Sequence, residues 1–434
     1  MSAPEMSRVT AVHGLSLRSN FVWVLSGNVV YAACQLGMVI ALAKLGSTTM
    51  VGQFSLGLAI ATPVLMFSNL HLRAVQATDA ARRYSFRQYL NLRMAMTSAA
   101  LLAVAGIAWF GNYGRETKRI IVAVALAKGI EALSDVHYGL FQLNDRLDRT
   151  GQSMMLRGLL SAGAMAAALY LTREAFWGCI GLALVWLVCL LFFDMRQARR
   201  LASRHPHPAA GRQRYSSLMR LALPLGLVTT TAALNLHMPR YFIEAGMGEH
   251  QLGIFSAMAY ATVAMILVND CMGHCAIPRL ARLYAAGSMA EFRSLLMKLL
   301  GFGAVLGLTG VAIARVFGER LLALFYGPEY AASSDAFVVL ILATAIYCIA
   351  NVFTGGITST RSFRIQVPLF ALVAGANALA CYRWVPAFGL AGGAAAMAVA
   401  ATVQLVLGAA VMSYLLLARP RTAGPCIGEL EPVI

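Results

Sequence analysis

The chain has 434 residues, of which 59% are hydrophobic and only 12% charged; 35 basic against 18 acidic residues give a formal charge of +17. Soluble globular proteins carry about a quarter charged residues and disordered chains need low hydrophobicity, so both classes are excluded. A mean hydropathy of +0.69 points instead to a chain dissolved in lipid, and the question becomes where the positive charge sits.

A bilayer core about 30 Å thick takes roughly 20 apolar residues as a helix. Windows of that kind run over Phe21–Ala43, Met50–Leu70, Met94–Gly111, Ile120–Gln142, Gln152–Thr172, Ala175–Phe193, Leu221–Phe242, Gln251–Cys271, Leu295–Val316, Asp335–Gly356, Ile365–Tyr382 and Gly389–Ala418. They predict an all-α integral membrane protein of about twelve transmembrane helices. Lipid offers no partner for open backbone groups, and the short alternating pattern of a barrel is missing. The N-terminus sets basic residues before an apolar run, as a signal peptide does. That run is too long and no A-x-A site follows, so Phe21–Ala43 reads as a retained span.

With twelve spans both termini lie on one side. Of the 35 basic residues, 25 fall in the termini and even-numbered loops, 9 in the odd-numbered loops, and Lys128 alone inside a span. The positive-inside rule makes the first set cytoplasmic. Most of the +17 is therefore a topology signal, with weak attraction to anionic lipid as a by-product. Charge spread over short loops argues against a nucleic-acid partner. No loop is long enough for a soluble catalytic domain, and no cluster of nucleophile, base or metal ligands stands out. Catalytic residues, cofactors and a resident metal are not expected. Asp270-Cys271-x-x-His274-Cys275 has metal-like residue types at helical spacing, but a helix end with small cysteines explains it as well.

Gly52-x-Phe54-Ser55 recurs as Gly253-x-Phe255-Ser256, and at the same offset Asn69 matches Asp270 and Arg73 matches His274. The repeat suggests two six-helix bundles in the same orientation, as in parallel-repeat transporters, with the substrate path between them. Residues 1–20 are then a cytoplasmic segment, 21–195 the N-terminal bundle, 196–220 a basic cytoplasmic linker, 221–418 the C-terminal bundle and 419–434 a cytoplasmic tail.

The fourth span carries the unusual chemistry. Spacings of three and four put Lys128, Glu131, Asp135, Tyr138 and Gln142 on one helical face. Ionisable groups at that depth cost several kcal/mol each unless paired or wetted. They read as a cavity wall handling protons, ions or an anionic headgroup; the plainer alternative is a Lys128–Glu131 bridge kept for packing. Asp135 is left over once that pair is made. Arg157 either snorkels to the headgroups or faces the cavity. Arg240, near the outer end of span seven and next to Pro239, is a gate holding phosphate or an interfacial anchor. Arg18, beside Asn20, is an inner anchor or a cavity cation. Pro63 and Pro224 mark helices able to bend.

The stretch Ala127-Lys128-Gly129-Ile130-Glu131-Ala132-Leu133-Ser134-Asp135 with Tyr138-Gly139-Leu140-Phe141-Gln142, followed by Asp148-Arg149 and Leu156-Arg157-Gly158, resembles the bacterial polysaccharide-repeat-unit (Wzx-type) flippases. These belong to the superfamily that also holds the multidrug and toxin extruders (MATE). Ala222-Leu223-Pro224-Leu225-Gly226, Pro239-Arg240-Tyr241-Phe242 and Tyr326-Gly327-Pro328-Glu329-Tyr330 look similar too. The resemblance implies a multi-pass bacterial inner-membrane protein. It would move an undecaprenyl-pyrophosphate-linked oligosaccharide from the cytoplasmic to the periplasmic leaflet, driven by H+ or Na+, beside a polysaccharide polymerase and other assembly proteins. Arg18, Lys128, Arg157 and Arg240, with Tyr138 and Gln142, would then meet pyrophosphate and sugar. Glu131, Asp135 and more weakly Asp270 would couple the ion. A drug extruder with an acidic, aromatic cavity and an integral membrane enzyme of envelope synthesis remain the rival readings.

Overall fold

A computed structural model describes residues 17–79, 83–202, 215–360 and 362–417. Its elements are helical throughout: α1 (Leu17–Leu45), α2 (Thr48–Asn69), α3 (Leu72–Thr78), α4 (Phe86–Phe110), α5 (Arg115–Leu143), α6 (Leu147–Thr172), α7 (Ala175–Val188), α8 (Met195–Ala202), α9 (Tyr215–Ala261), α10 (Val263–Ala285), α11 (Met289–Phe325), α12 (Pro328–Ala331), α13 (Ser334–Ser359) and α14 (Phe363–Leu417). A π-helical segment, Cys189–Asp194, joins α7 to α8 without a break. The sequence 203–214, most of the expected linker, lies outside the described residues, as do 418–434, which include the whole expected tail 419–434.

Local sequence explains where the helices begin. Ser47 caps α2 by accepting from Met50 N at 3.3 Å. Ser85 and Gln88 form a reciprocal capping box at α4, so that span starts at Phe86, well before the expected Met94. The other short window, Leu295–Val316, is also longer in the structure, since α11 begins at Met289 and ends at Phe325. Pro63 sits inside α2 without ending it. Pro239 likewise does not end its helix, which runs on to the turn at Gly248.

Two expected outer loops shrink to single glycines. Gly248 (φ 81°) breaks α9 and Gly389 (φ 59°) breaks α14, a backbone region open to glycine at little cost. The chain doubles back at both. A methyl on Gly393 would touch both Ile243 and Phe255, residues that an unbroken helix would hold about 18 Å apart. Gly392 likewise abuts the backbone of Trp384. Nine described stretches are apolar and long enough to cross a membrane, two of them containing these turns. Helix α5 falls outside the nine because of its charges, yet its length and buried flanks make it a crossing as well.

Helix α5 is the centre of the first bundle, packed on α2, α3, α4, α6 and α7, while α13 holds the same place among α10, α11 and α14 in the second. Alternate connections gather on opposite faces. On one, Asn20 of α1 donates to Asp145 O (3.1 Å) between α5 and α6, and Tyr84 meets Ser217 of α9 (3.2 Å). On the other, Arg173 after α6 donates to Leu45 O at the end of α1 (3.0 Å). Large apolar side chains such as Leu102, Trp109, Phe110, Phe192 and Leu308 point outward, as lipid requires and water would not favour.

Candidate functional site between the two helix bundles

The predicted polar face of α5 splits into three connected nodes. In the first, the Lys128 ammonium donates to Glu131, which also accepts from Tyr31 Oη of α1 at 3.0 Å. Lys128 also lies 5.9 Å from the centroid of the Trp186 ring. In the second, Arg157 donates to Ser134 and, at 2.7 Å, to Asp194 in the π-helical segment. Asp194 takes a further bond from Ser153 (2.7 Å), which meets Tyr138 Oη at 2.8 Å. In the third, Asp135 receives Arg73 (3.3 Å) and Arg93 (3.2 Å), and Arg73 continues to Gln142 at 3.3 Å.

These contacts correct two expectations. Asp135 is not left over: two arginines from α3 and α4 hold it, one of them wholly buried. Arg157 neither snorkels nor faces a cavity. Its side chain is 2% exposed against 0% for Asp194, so the pair is an internal brace of the first bundle. Tyr138 is buried between Arg73 and Arg157, 5.6 and 5.7 Å from its ring centroid, and belongs to the same brace. Arg18 lies in the first turn of α1, and its side chain is outside the described residues, as are those of His274 and Cys275.

Lys128 faces the other bundle. With Gln35, Phe54, Leu58 and Trp186 it lines a small cavity of about 30 Å³ that Tyr260 of α9 closes from the opposite side. Behind Tyr260 stands Arg240, which donates to His237 Nδ1. His237 thus lies near both cations, Arg240 by this hydrogen bond and Lys128 across the bundle interface. Among the described residues Arg240 has no carboxylate within ion-pair distance, and its buried Nε has no hydrogen-bond partner. A buried guanidinium so placed costs several kcal/mol, which an anion would recover. Two bundles thus bring cations to one wall, with Tyr260 and Tyr241 beside them. Asp270 is elsewhere, in the second bundle, where Asn351 donates to it at 3.3 Å.

Above this wall the bundles meet on the face away from Asn20. Gly52 of α2 and Gly253 of α9, the repeated glycines, cross in contact. A methyl on Gly52 would come within 2.8 Å of the Glu249 carbonyl carbon, and one on Gly253 within 2.9 Å of that of Thr48. Polar bonds run along this seam. Gln53 donates to Glu249 at 2.9 Å, Thr117 to the same carboxylate, and Thr48 to Glu329 at 2.5 Å, which His250 also meets at 2.8 Å. Tyr241 Oη donates to Ala59 O across the interface.

Sequence reasoning missed Asp194, Arg93 and this seam. Asp194 follows directly on the apolar window that ended at Phe193; an acid at that join, within helical reach of Arg157, was the available signal. Of the seam acids, Glu249 gave none, because a loop-end carboxylate is ordinary in sequence, while Glu329 stood in the quoted Tyr326–Tyr330 stretch without a role.

With this geometry in place, the helical fold can be compared with solved structures, and it is shared with multi-pass membrane transporters of the MOP superfamily. A MOP superfamily transporter from Pyrococcus furiosus, described as having a binding pocket of reverse polarity suggesting a different function, superposes with a TM-score of 0.61 at 16% identity. The match covers 91% of this chain and 95% of that one. In sequence, the capsular polysaccharide biosynthesis protein CapF of Staphylococcus aureus is 25% identical over 393 residues, 89% of this chain and 97% of that protein. The EPS I polysaccharide export inner membrane protein EpsE of Ralstonia solanacearum is 25% identical over 313 residues, 68% of each chain. No family model matches.

Proposed function

We propose that the chain is a flippase of the bacterial inner membrane. It carries an undecaprenyl-pyrophosphate-linked oligosaccharide from the cytoplasmic to the periplasmic leaflet by alternating access, coupled to an H+ or Na+ gradient. The observation that carries this reading is Arg240, a buried cation with no acid partner among the described residues, sharing a wall with Lys128 from the other bundle. Such a wall lowers the cost of bringing a pyrophosphate into a low-dielectric region, while the lipid tail stays in the bilayer. The polysaccharide-related names of CapF and EpsE support the substrate class. A cationic extruder would need acid at this wall, where Glu131 is already engaged by Lys128 and Tyr31.

The test is flipping of a lipid-linked oligosaccharide in proteoliposomes. A hydrogen bond to a charged group contributes about 1.5–3 kcal/mol, so Arg240→Gln is expected to weaken substrate affinity by roughly 10- to 100-fold. Lys128→Ala should weaken it less, because Lys128 shares its charge with Glu131. Affinity unchanged in both variants would refute the phosphate role of this wall.

A further inference from the structure

The wall between the bundles holds a buried histidine besides its cations. His237 is 7% exposed and lies one turn before Arg240 on α9. Its Nδ1 faces the Arg240 guanidinium. A guanidinium has only N–H groups to give, so the ring nitrogen it meets carries a lone pair. His237 is therefore neutral here, with its proton on Nε2, and it occupies a donor of the cation that a phosphate needs. Lys128 of α5 sets a second positive charge near the same ring.

The turn that carries the pair is fixed. Pro239 has no amide hydrogen, which frees the carbonyl of Asn235 four residues earlier. Asn377 of α14 fills that place, donating to Asn235 O at 2.9 Å and to its side-chain oxygen at 2.8 Å. Rearrangement of the pair is thus left to the two side chains. Around them α2 contributes no ionisable group along its length. On α9 itself Tyr241 and Tyr260 flank Arg240, and on α14 Cys381 donates to Asn377 at 3.5 Å. On α5, Glu131 stands behind Lys128, bonded to it and to Tyr31 of α1. Asp270 of α10 is turned to α13, beside Asn351, Tyr347 and Cys348.

The charge of the wall decides what it can hold. Lys128 and Glu131 cancel, and a neutral His237 leaves Arg240 as the net positive charge among the described residues. A pyrophosphate esterified at both ends carries two negative charges, one on each phosphate. The uncompensated charge is costly in a low-dielectric space, and a proton on His237 removes it. The same proton turns Nδ1 from acceptor into donor. That releases the guanidinium and supplies another N–H to a phosphate oxygen. We propose that His237 is a positioning residue of this wall: it holds Arg240 while the wall is empty, and takes up a proton as a doubly charged headgroup enters, freeing Arg240 to turn toward it. The inference rests on the phosphate reading above and adds a selectivity for charge. A headgroup with one phosphate diester carries one negative charge, is balanced by Arg240 alone and needs no proton.

The full-length protein in detergent is titrated calorimetrically at pH 7.5 with a prenyl-pyrophosphate-linked disaccharide, in two buffers of different ionisation enthalpy. The difference in heat counts the protons taken up. About half a proton or more per ligand is expected, because imidazole changes charge near neutrality. The bound state holds the extra proton, so affinity is full at low pH and falls as pH rises, by up to ~10-fold per unit. The prenyl-monophosphate-linked disaccharide is expected to bind with little proton uptake and a flat pH profile. His237→Gln keeps an acceptor for Arg240 but cannot take a proton. It should bind the pyrophosphate ligand more weakly, without uptake and without pH dependence, a signature that loss of packing alone would not produce. Pyrophosphate binding without proton uptake, equal uptake with both ligands, or an uptake that survives His237→Gln would overturn the proposal. The first two outcomes need no variant, so they decide even if His237→Gln does not fold. Failure of both ligands to bind overturns the phosphate wall itself, a result distinct from binding without a proton.

Discussion

Gly253→Ala tests whether the glycine crossing is the contact that closes one face. In an isolated helix this change should stabilise, since glycine costs roughly 0.5–1 kcal/mol relative to alanine. Here the added methyl would overlap the Thr48 carbonyl and lie 2.9 Å from its carbon and 3.1 Å from Gly52 N. Ordinary carbon contacts are about 3.5–4.0 Å, so the two helices must part by more than about half an ångström. All the close atoms are backbone and cannot swing aside. Overpacking of this sort costs about 1–3 kcal/mol, and the cost exists only while the two glycines touch. With ~1.4 kcal/mol per factor of ten, the equilibrium shifts roughly 5- to 150-fold toward states in which this face is open. Spin labels at Glu116 and Arg320, both exposed and in opposite bundles, read that opening as a longer distance in pulsed dipolar spectra. A distance distribution identical to that of the parent protein would refute the reasoning, because a methyl would then be accommodated without parting the bundles.

Three further outcomes follow from the ion pairs of the first bundle. Arg157→Met leaves Asp194 as a buried carboxylate deprived of its arginine, and should cost about 3–5 kcal/mol in denaturation in detergent. The double change Arg157→Met with Asp194→Leu should recover much of that loss; if the double variant is no more stable than the single one, the pair is not the source. Asp135→Asn leaves the wholly buried Arg93 with one fewer anionic partner and should lower stability by a comparable amount, read as a depressed melting midpoint. Glu131→Gln removes a carboxylate that, among the described residues, Lys128 and Tyr31 engage through hydrogen bonds. It should alter the dependence of flipping on the ion gradient more than it alters stability, and an unchanged gradient dependence would remove Glu131 from the coupling role.

The order of amino acids was enough to read the solvent of this protein, its helical class and the helix that carries the intramembrane charge. Those follow from local rules: about 20 apolar residues span a bilayer, and residues three and four apart share a face. The Lys128–Glu131 pair was legible for the same reason, since both partners lie on one turn of α5. The repeated Gly-x-Phe-Ser segments were legible too, but not that they touch. What the remaining charges do depends on how the helices pack. Asp135 is neutralised from α3 and α4, Arg157 from the end of the sixth span, and Lys128 shares a small cavity with Tyr260 from the other bundle. In lipid each of these partnerships is set by which helices pack side by side. A single buried charge selects a partner by distance in space, and distance along the chain carries no record of it.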